Sequence, residues 1–170
     1  MSTKLKERLR LVLYVLVLLF ALLLDNAAFT TLGLRYIPTV MPIAVACVAL
    51  WEGADRGSIF GLIGGCLWAW NTELTYFGAW CIFSMTVTGI GAGLLAERFL
   101  LQSWKTILCV SAAALFLCSG VFTLLQAAAG LVSVDRFFMQ FLPEGLISMV
   151  FVVFFYPVTE YISRIGGFHG

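Results

Sequence analysis

Charged residues are scarce in this chain of 170 residues. Asp, Glu, Lys and Arg together make up 11% of the sequence, whereas hydrophobic residues make up 62% and the mean hydropathy is +1.03. Soluble domains carry about 25% charged residues, so this chain has too little polar surface to cover a water-exposed globule. The composition predicts a single integral-membrane domain over residues 1–170, built from helices with short loops.

Residues that carry out catalysis or bind metals are equally scarce. The only histidine is His169, the penultimate residue, and a side chain in such a position is more typical of a frayed end than of a ligand. The five cysteines lie inside apolar segments without C-x-x-C spacing, which favours packing over metal or disulfide roles. No serine has a base beside it in the sequence. We therefore expect neither catalytic residues nor a metal or cofactor site, and the protein is predicted not to be an enzyme.

Six apolar segments divide the chain, and each is interpreted as a membrane helix. Their approximate ranges are 9–29, 37–51, 58–71, 76–96, 106–129 and 143–162. The second and third segments are short, about 20–22 Å long at 1.5 Å per residue, against ~30 Å for the hydrocarbon core. They are either two full crossings or a re-entrant hairpin. Two crossings are favoured, because the charged turn from Glu52 to Arg56 is costly at mid-depth. Pro157 is expected to kink the last helix.

The basic residues are distributed unevenly between the two sides of these segments. Two of the ten, Arg35 and Arg136, fall on one side. The other eight fall on the opposite side: Lys4, Lys6, Arg8, Arg10, Arg56, Arg98, Lys105 and Arg164. Cytoplasmic flanks collect Lys and Arg, so the sequence predicts an all-α bundle of six transmembrane helices with both termini in the cytoplasm. Because these residues orient helices instead of forming a patch, no nucleic-acid partner is expected.

Small residues recur at four-residue spacing in two of the segments. The third segment carries Gly57, Gly61 and Gly65, and the fourth carries Gly89 and Gly93. Within lipid, small residues on one helix face let backbones approach closely. The pattern predicts helix packing inside the protein, which is favoured over an interface with another molecule.

Carboxylates fall near the ends of the segments. Asp25 and Glu144 lie toward the predicted outer side, and Glu52 and Glu160 lie at the inner ends. Capping of helices or solvation at the interface is favoured over ion coupling, because none of the four is clearly at mid-bilayer. A direct contact with a partner protein through Asp25 or Glu144 is an intermediate possibility.

The order of several short motifs resembles the rod-shape-determining protein MreD family. The resemblance extends over nearly the whole chain and rests on the basic N-terminus, Gly33-Leu34-Arg35, the proline-led second helix, the glycine-rich run from Ser58 to Trp68, Gly91 to Arg98, Leu142-Pro143-Glu144 and Tyr156-Pro157. Members often carry an aspartate after the third-helix glycines, where this chain has Trp68-Ala69-Trp70-Asn71. No role for that aspartate is therefore implied here.

The resemblance implies a function as well as a fold. It implies a small, non-enzymatic scaffold of the elongation machinery in the bacterial cell (inner) membrane. Such a scaffold binds the bitopic protein MreC and couples cell-wall synthases, which make peptidoglycan outside, to MreB filaments inside.

Two other classes of membrane protein are alternatives. The chain is also similar to the substrate-binding S component of energy-coupling-factor vitamin transporters, which look like six short helices. Those components commonly dock through an Ala-x-x-x-Ala pattern on the first helix, and Ala21, Ala27 and Ala28 do not give that spacing. The outer loops offer few polar groups for a vitamin besides those between Asn71 and Thr75. A small channel or transporter needs a polar pore lining, and none of the helices is clearly amphipathic.

Overall fold

The computed structural model describes residues 3–28, 38–71, 78–99, 104–128, 130, 133, 135, 139 and 141–165, and 95% of the structure is helical. These ranges contain no strand. Four helices are long and apolar enough to cross a membrane: Leu5–Asn26, Gly78–Arg98, Trp104–Ala128 and Leu142–Ile165. The predicted all-helical class is confirmed, and the four long helices make a multi-pass membrane protein plausible. The Gly33–Arg35 motif, Arg136, Thr72–Thr75, His169 and the predicted helix ends at 29, 37, 76 and 129 lie outside the described residues.

Seven α-helices, two of them prolonged by a π-helical turn, make up the described chain. They are α1 (Thr3–Leu23, prolonged by Leu24–Ala28), α2 (Met41–Asn71), α3 (Gly78–Phe99), α4 (Trp104–Leu115, prolonged by Phe116–Gly120), α5 (Val121–Ala128), α6 (Leu142–Val150) and α7 (Val152–Ile165). Helices α4 and α5 together form one predicted segment, as do α6 and α7.

Helix α2 is a hairpin of two antiparallel arms. Gly53 has φ 81° and ψ −179°, a conformation that glycine adopts readily and other residues avoid, and it separates a first arm (41–52) from a second arm (54–71). A Cβ atom built on Gly64 lies 2.8 Å from Val45 Cγ2 and 3.8 Å from Met41 Cε. In a straight helix Gly64 and Val45 are about 28 Å apart, so the two arms fold back against each other.

The turn of this hairpin is much shorter than the sequence suggests. The polar run from Glu52 to Gly57 is expected to form the turn, with the next helix starting at Ser58. Instead only Gly53 leaves the helical conformation. The N–H of Ala54 donates a 2.8 Å hydrogen bond to the Glu97 carboxylate of α3. That bond satisfies a donor at the start of the second arm, so the helix begins directly after the glycine.

The first arm of the hairpin forms the centre of the core. Every residue from Val40 to Leu50 is buried, and the hairpin contacts α1, α3, α4 and α7. Tyr14 and Leu18 of α1 and Phe155 of α7 are also almost fully enclosed. Helices α1, α3, α4 and α7 therefore enclose the hairpin, with the first arm at the centre of the protein.

The last predicted helix is interrupted before its proline. Phe151 separates α6 from α7 with φ −69° and ψ −17°, and its N–H donates a 3.0 Å hydrogen bond to the Ser148 carbonyl oxygen. Pro157 lies within α7. The interruption thus occurs about a turn and a half earlier than the proline, and a kink at Pro157 itself stays a prediction.

Candidate functional site

A group of ion pairs, the turn cluster, joins the hairpin turn to α1. It consists of Glu7, Arg10, Glu52 and Arg56. Arg10 Nε lies 2.9 Å from Glu52 Oε1 and a terminal nitrogen donates a 3.1 Å hydrogen bond to Glu52 Oε2. These two side chains are only 6% and 1% exposed. A charge this deeply buried is stable only when it is paired, so the carboxylate of Glu52 fixes the hairpin turn against α1.

Arg56 extends the cluster back to the start of α1. Its Nη1 lies 3.0 Å from Glu52 Oε2, and its Nη2 pairs with the Glu7 carboxylate. Two guanidinium groups thus share the Glu52 carboxylate, and a second carboxylate balances the outer guanidinium. Together with the bond from Ala54 to Glu97, these contacts tie the turn to α1 on one side and to α3 on the other.

The environment of Glu52 differs from the solvated inner interface expected from the sequence. The chain buries its carboxylate beside Arg10 because α1 passes directly over the hairpin turn. Arg10 ends the charged run from Lys4 to Arg10, directly before the apolar stretch that begins at Leu11, and that local pattern does not indicate that its charge is buried against Glu52. Glu160 does match the expectation of a helix-end carboxylate: it pairs with Arg164 one turn later on α7, at 2.5 Å.

A second polar group, the cap cluster, holds the other end of the hairpin. Asp25 accepts hydrogen bonds from the backbone N–H groups of Val40 at 2.7 Å and Met41 at 3.0 Å. Ser148 Oγ accepts a 2.9 Å hydrogen bond from the N–H of Thr39. These donors lie just before α2 and at its first residue, where backbone N–H groups have no partner within the helix. Asp25 therefore caps the central helix from a neighbouring one, and both carboxylate oxygens are engaged inside the protein.

Glu144 lies in the first turn of α6, next to Pro143. Its side chain is half-buried, and its backbone carbonyl accepts a 2.6 Å hydrogen bond from Ser148 Oγ. A negative charge in the first turn of a helix is favoured by the helix dipole. Contact of Glu144 with a partner protein stays a prediction.

The second arm of the hairpin and α3 pack with their backbones in direct contact. A Cβ atom on Gly61 overlaps the Met85 carbonyl oxygen and lies 3.0 Å from Thr86 Cα. The other four glycines singled out in the sequence make similar approaches: Gly57 to Gly89 and Ala49, Gly65 to Cys81 and Ile82, Gly89 to Gly57, and Gly93 to Gly53 and Ala54. All five glycines therefore lie at contacts between helices of the same chain.

Two of the open spaces among the described residues have an almost entirely apolar lining. One is a groove of about 460 Å³ between α1 and α7, and the other is a cleft of about 180 Å³ between α3 and α4. No group of three or more His, Cys, Asp or Glu side chains in the described ranges is arranged to hold a metal ion. The charged side chains of the turn cluster contact one another and do not line either space.

Comparison with known proteins does not identify a family. No protein-family model, no curated protein and no solved structure matches this chain.

Proposed function

We propose that the hairpin crosses the membrane twice, which makes six crossings in all. The second arm is about 27 Å long, close to the ~30 Å hydrocarbon core. The ion pair between Glu52 and Arg10 places the turn beside the first turns of α1. The hydrogen bond from Val40 to Asp25 places the start of the first arm beside the other end of α1. These contacts match the first arm to the stretch of α1 from Arg10 to Asp25, about 22 Å, and support a hairpin that reaches most of the way across the ~30 Å core.

We further propose that the turn of the hairpin and both termini face the cytoplasm. The turn cluster places Arg10 and Arg56 at this end, and the contact between Glu97 and Ala54 brings Arg98 to it. Ring contacts of Tyr156 with Trp51 and Trp104 bring the start of α4, with Lys105, to the same end. The enrichment of Lys and Arg on cytoplasmic flanks supports this orientation.

We propose that the chain is a non-enzymatic scaffold of the rod-shape complex in the bacterial cell membrane. In this function it binds an MreC-like bitopic protein and links cell-wall synthases to MreB-type filaments. The observation that supports a scaffold is the clamped hairpin. Its glycines place two backbones in contact, its turn is held by buried ion pairs, and its start is capped by Asp25. A bundle held at both ends presents outer faces of fixed shape, which lowers the entropic cost of binding a partner.

Affinity purification distinguishes this proposal from vitamin transport. The tagged chain is isolated from native membranes in mild detergent and its partners are identified by mass spectrometry. We expect an MreC-like bitopic protein together with cell-wall synthases. Recovery of paired ATPases with a transmembrane coupling protein instead rejects the scaffold and identifies a vitamin-capture component.

Reporter fusions test the topology separately. A reporter after His169 and one after Ala54 are expected to read as cytoplasmic, and one after Thr75 as external. An external reading after Ala54 contradicts the two crossings of the hairpin, and an external reading after His169 contradicts the orientation of the whole bundle.

A further inference from the structure

The groove between α1 and α7 is bordered by bulky side chains only. Leu13, Leu16 and Phe20 of α1 face Phe154 and Tyr161 of α7 across it, and the remaining lining residues are Val, Phe and Ile. Two helices in a membrane associate through small residues that let the backbones approach, and this groove has no Gly, Ala, Ser or Thr. Its lining therefore suits a flexible hydrocarbon chain better than the helix of another protein.

The length of the groove matches one leaflet of a bilayer. Its lining on α7 runs from Phe154 to Ile165, a rise of about 16 Å along the helix. Half of the ~30 Å hydrocarbon core is ~15 Å. The α7 wall of the groove lies in the half of the bundle that contains the turn cluster, whereas its α1 wall, from Leu13 to Phe20, lies across the middle of that helix. The Phe20 ring contacts that of Phe154 at 6.2 Å, so the two walls meet at the end of the groove away from the turn cluster.

A basic residue extends the groove toward the headgroup region. Lys6 precedes Leu13 by two helical turns and lies on the same face of α1, and it is exposed. The acidic neighbour Glu7 points to a different face of α1, where it pairs with Arg56. Tyr161, whose side chain is 69% exposed, supplies a hydroxyl on the opposite wall. Aromatic residues with a polar tip favour the membrane interface.

We propose that this groove binds an anionic phospholipid. One acyl chain lies along α1 and α7 and passes Tyr161, and the phosphate lies beyond the end of the groove near the Lys6 ammonium group. The positive charge at the end of the groove complements the negative headgroup, as in the basic sites between transmembrane helices that select anionic lipids. The inference concerns the lipid alone and does not depend on which protein partners the scaffold recruits.

Native mass spectrometry of the full chain tests the proposal. The detergent-solubilised protein is mixed with equal amounts of phosphatidylglycerol and phosphatidylcholine that carry identical acyl chains. We expect the wild type to retain one phosphatidylglycerol in preference to phosphatidylcholine. Lys6→Gln is expected to reduce that preference about fivefold, the effect of one basic residue near a membrane surface. Leu16→Trp, which fills the groove, is expected to remove the bound lipid.

Two matched variants serve as controls. Lys105→Gln, the control for Lys6→Gln, removes a lysine on α4 at the same end of the bundle. Leu94→Trp, the control for Leu16→Trp, enlarges an exposed leucine on α3. Both controls are expected to retain the lipid as the wild type does. If Leu16→Trp does not fold, Val158→Phe fills the same groove. The proposal is overturned if the wild type shows no preference, if Lys6→Gln behaves as Lys105→Gln, or if a groove-filling variant retains the lipid as Leu94→Trp does. Loss of a protein partner in Leu16→Trp with lipid retention unchanged also overturns it, because the groove then binds a helix.

Discussion

Replacement of Gly61 by alanine tests the contact between the second arm of the hairpin and α3. The added Cβ atom overlaps the Met85 carbonyl oxygen and lies 3.0 Å from Thr86 Cα. Both neighbours are backbone atoms, so no side chain is able to rotate away. The two helices must separate, and the tight packing on either side of Gly61 is lost with them.

The expected magnitude follows from comparison with a second glycine. Gly91 lies on α3, and a Cβ atom there meets nothing within 4 Å. Both substitutions gain the same ~0.5–1 kcal/mol from the higher helix propensity of alanine, whereas only Gly61→Ala forces extra volume into a packed interface, at a cost of ~1–3 kcal/mol. The difference between the two variants is therefore expected to be ~1–3 kcal/mol. Gly61→Leu is expected to be still less stable.

The assay is unfolding by sodium dodecyl sulfate in mixed micelles, followed by far-ultraviolet circular dichroism. Gly91→Ala and Gly145→Ala, whose added Cβ atoms both meet open space, are expected to be as stable as the wild type or slightly more so. Equal free energies of unfolding for Gly61→Ala and Gly91→Ala refute the reasoning, because they mean that the backbones are not in contact at Gly61.

Three further substitutions probe the two ends of the hairpin in the same assay. Glu52→Gln leaves the Arg10 charge buried without its carboxylate and is expected to lower the free energy of unfolding by ~3–5 kcal/mol. The double variant Arg10→Met, Glu52→Met is expected to recover most of that loss. A double variant as unstable as Glu52→Gln argues against a buried pair. Asp25→Ala removes the cap of α2 and is expected to cost ~0.5–2 kcal/mol, and no loss of stability means that water satisfies those N–H groups equally well. Gly53→Ala places a Cβ atom at positive φ and 2.5 Å from Glu97 Oε1 and is expected to cost ~1–3 kcal/mol, because φ 81° with ψ −179° is a conformation essentially restricted to glycine. Wild-type stability contradicts the positive φ at Gly53.

The helices themselves were predictable because hydropathy is a local property. A run of apolar residues without charges needs no distant partner to be recognised as a membrane helix, so the long helices appear close to their expected ranges. The spacing of Gly57, Gly61 and Gly65 is local in the same sense, since four-residue intervals place the three on one helix face. Which helix lies against that face is not contained in the spacing.

The turn of the hairpin was not predictable because it depends on distant residues. The polar run after Glu52 resembles a loop when it is considered alone. The chain continues as a helix through that run because Glu97, 43 residues from Ala54, accepts its N–H bond. Arg10, 42 residues from Glu52, neutralises the carboxylate that a membrane interface was expected to solvate.

The sequence by itself determined that this protein is helical and that it has segments suited to a membrane, because both properties depend on composition or on residues within a few turns of one another. Only the tertiary structure decided that the first arm of the hairpin is the buried centre, that Asp25 caps a helix other than its own, and that α1 and α7 enclose a groove. These features arise where helices distant in the sequence meet, and the contacts that define them have no counterpart in the local pattern of either helix.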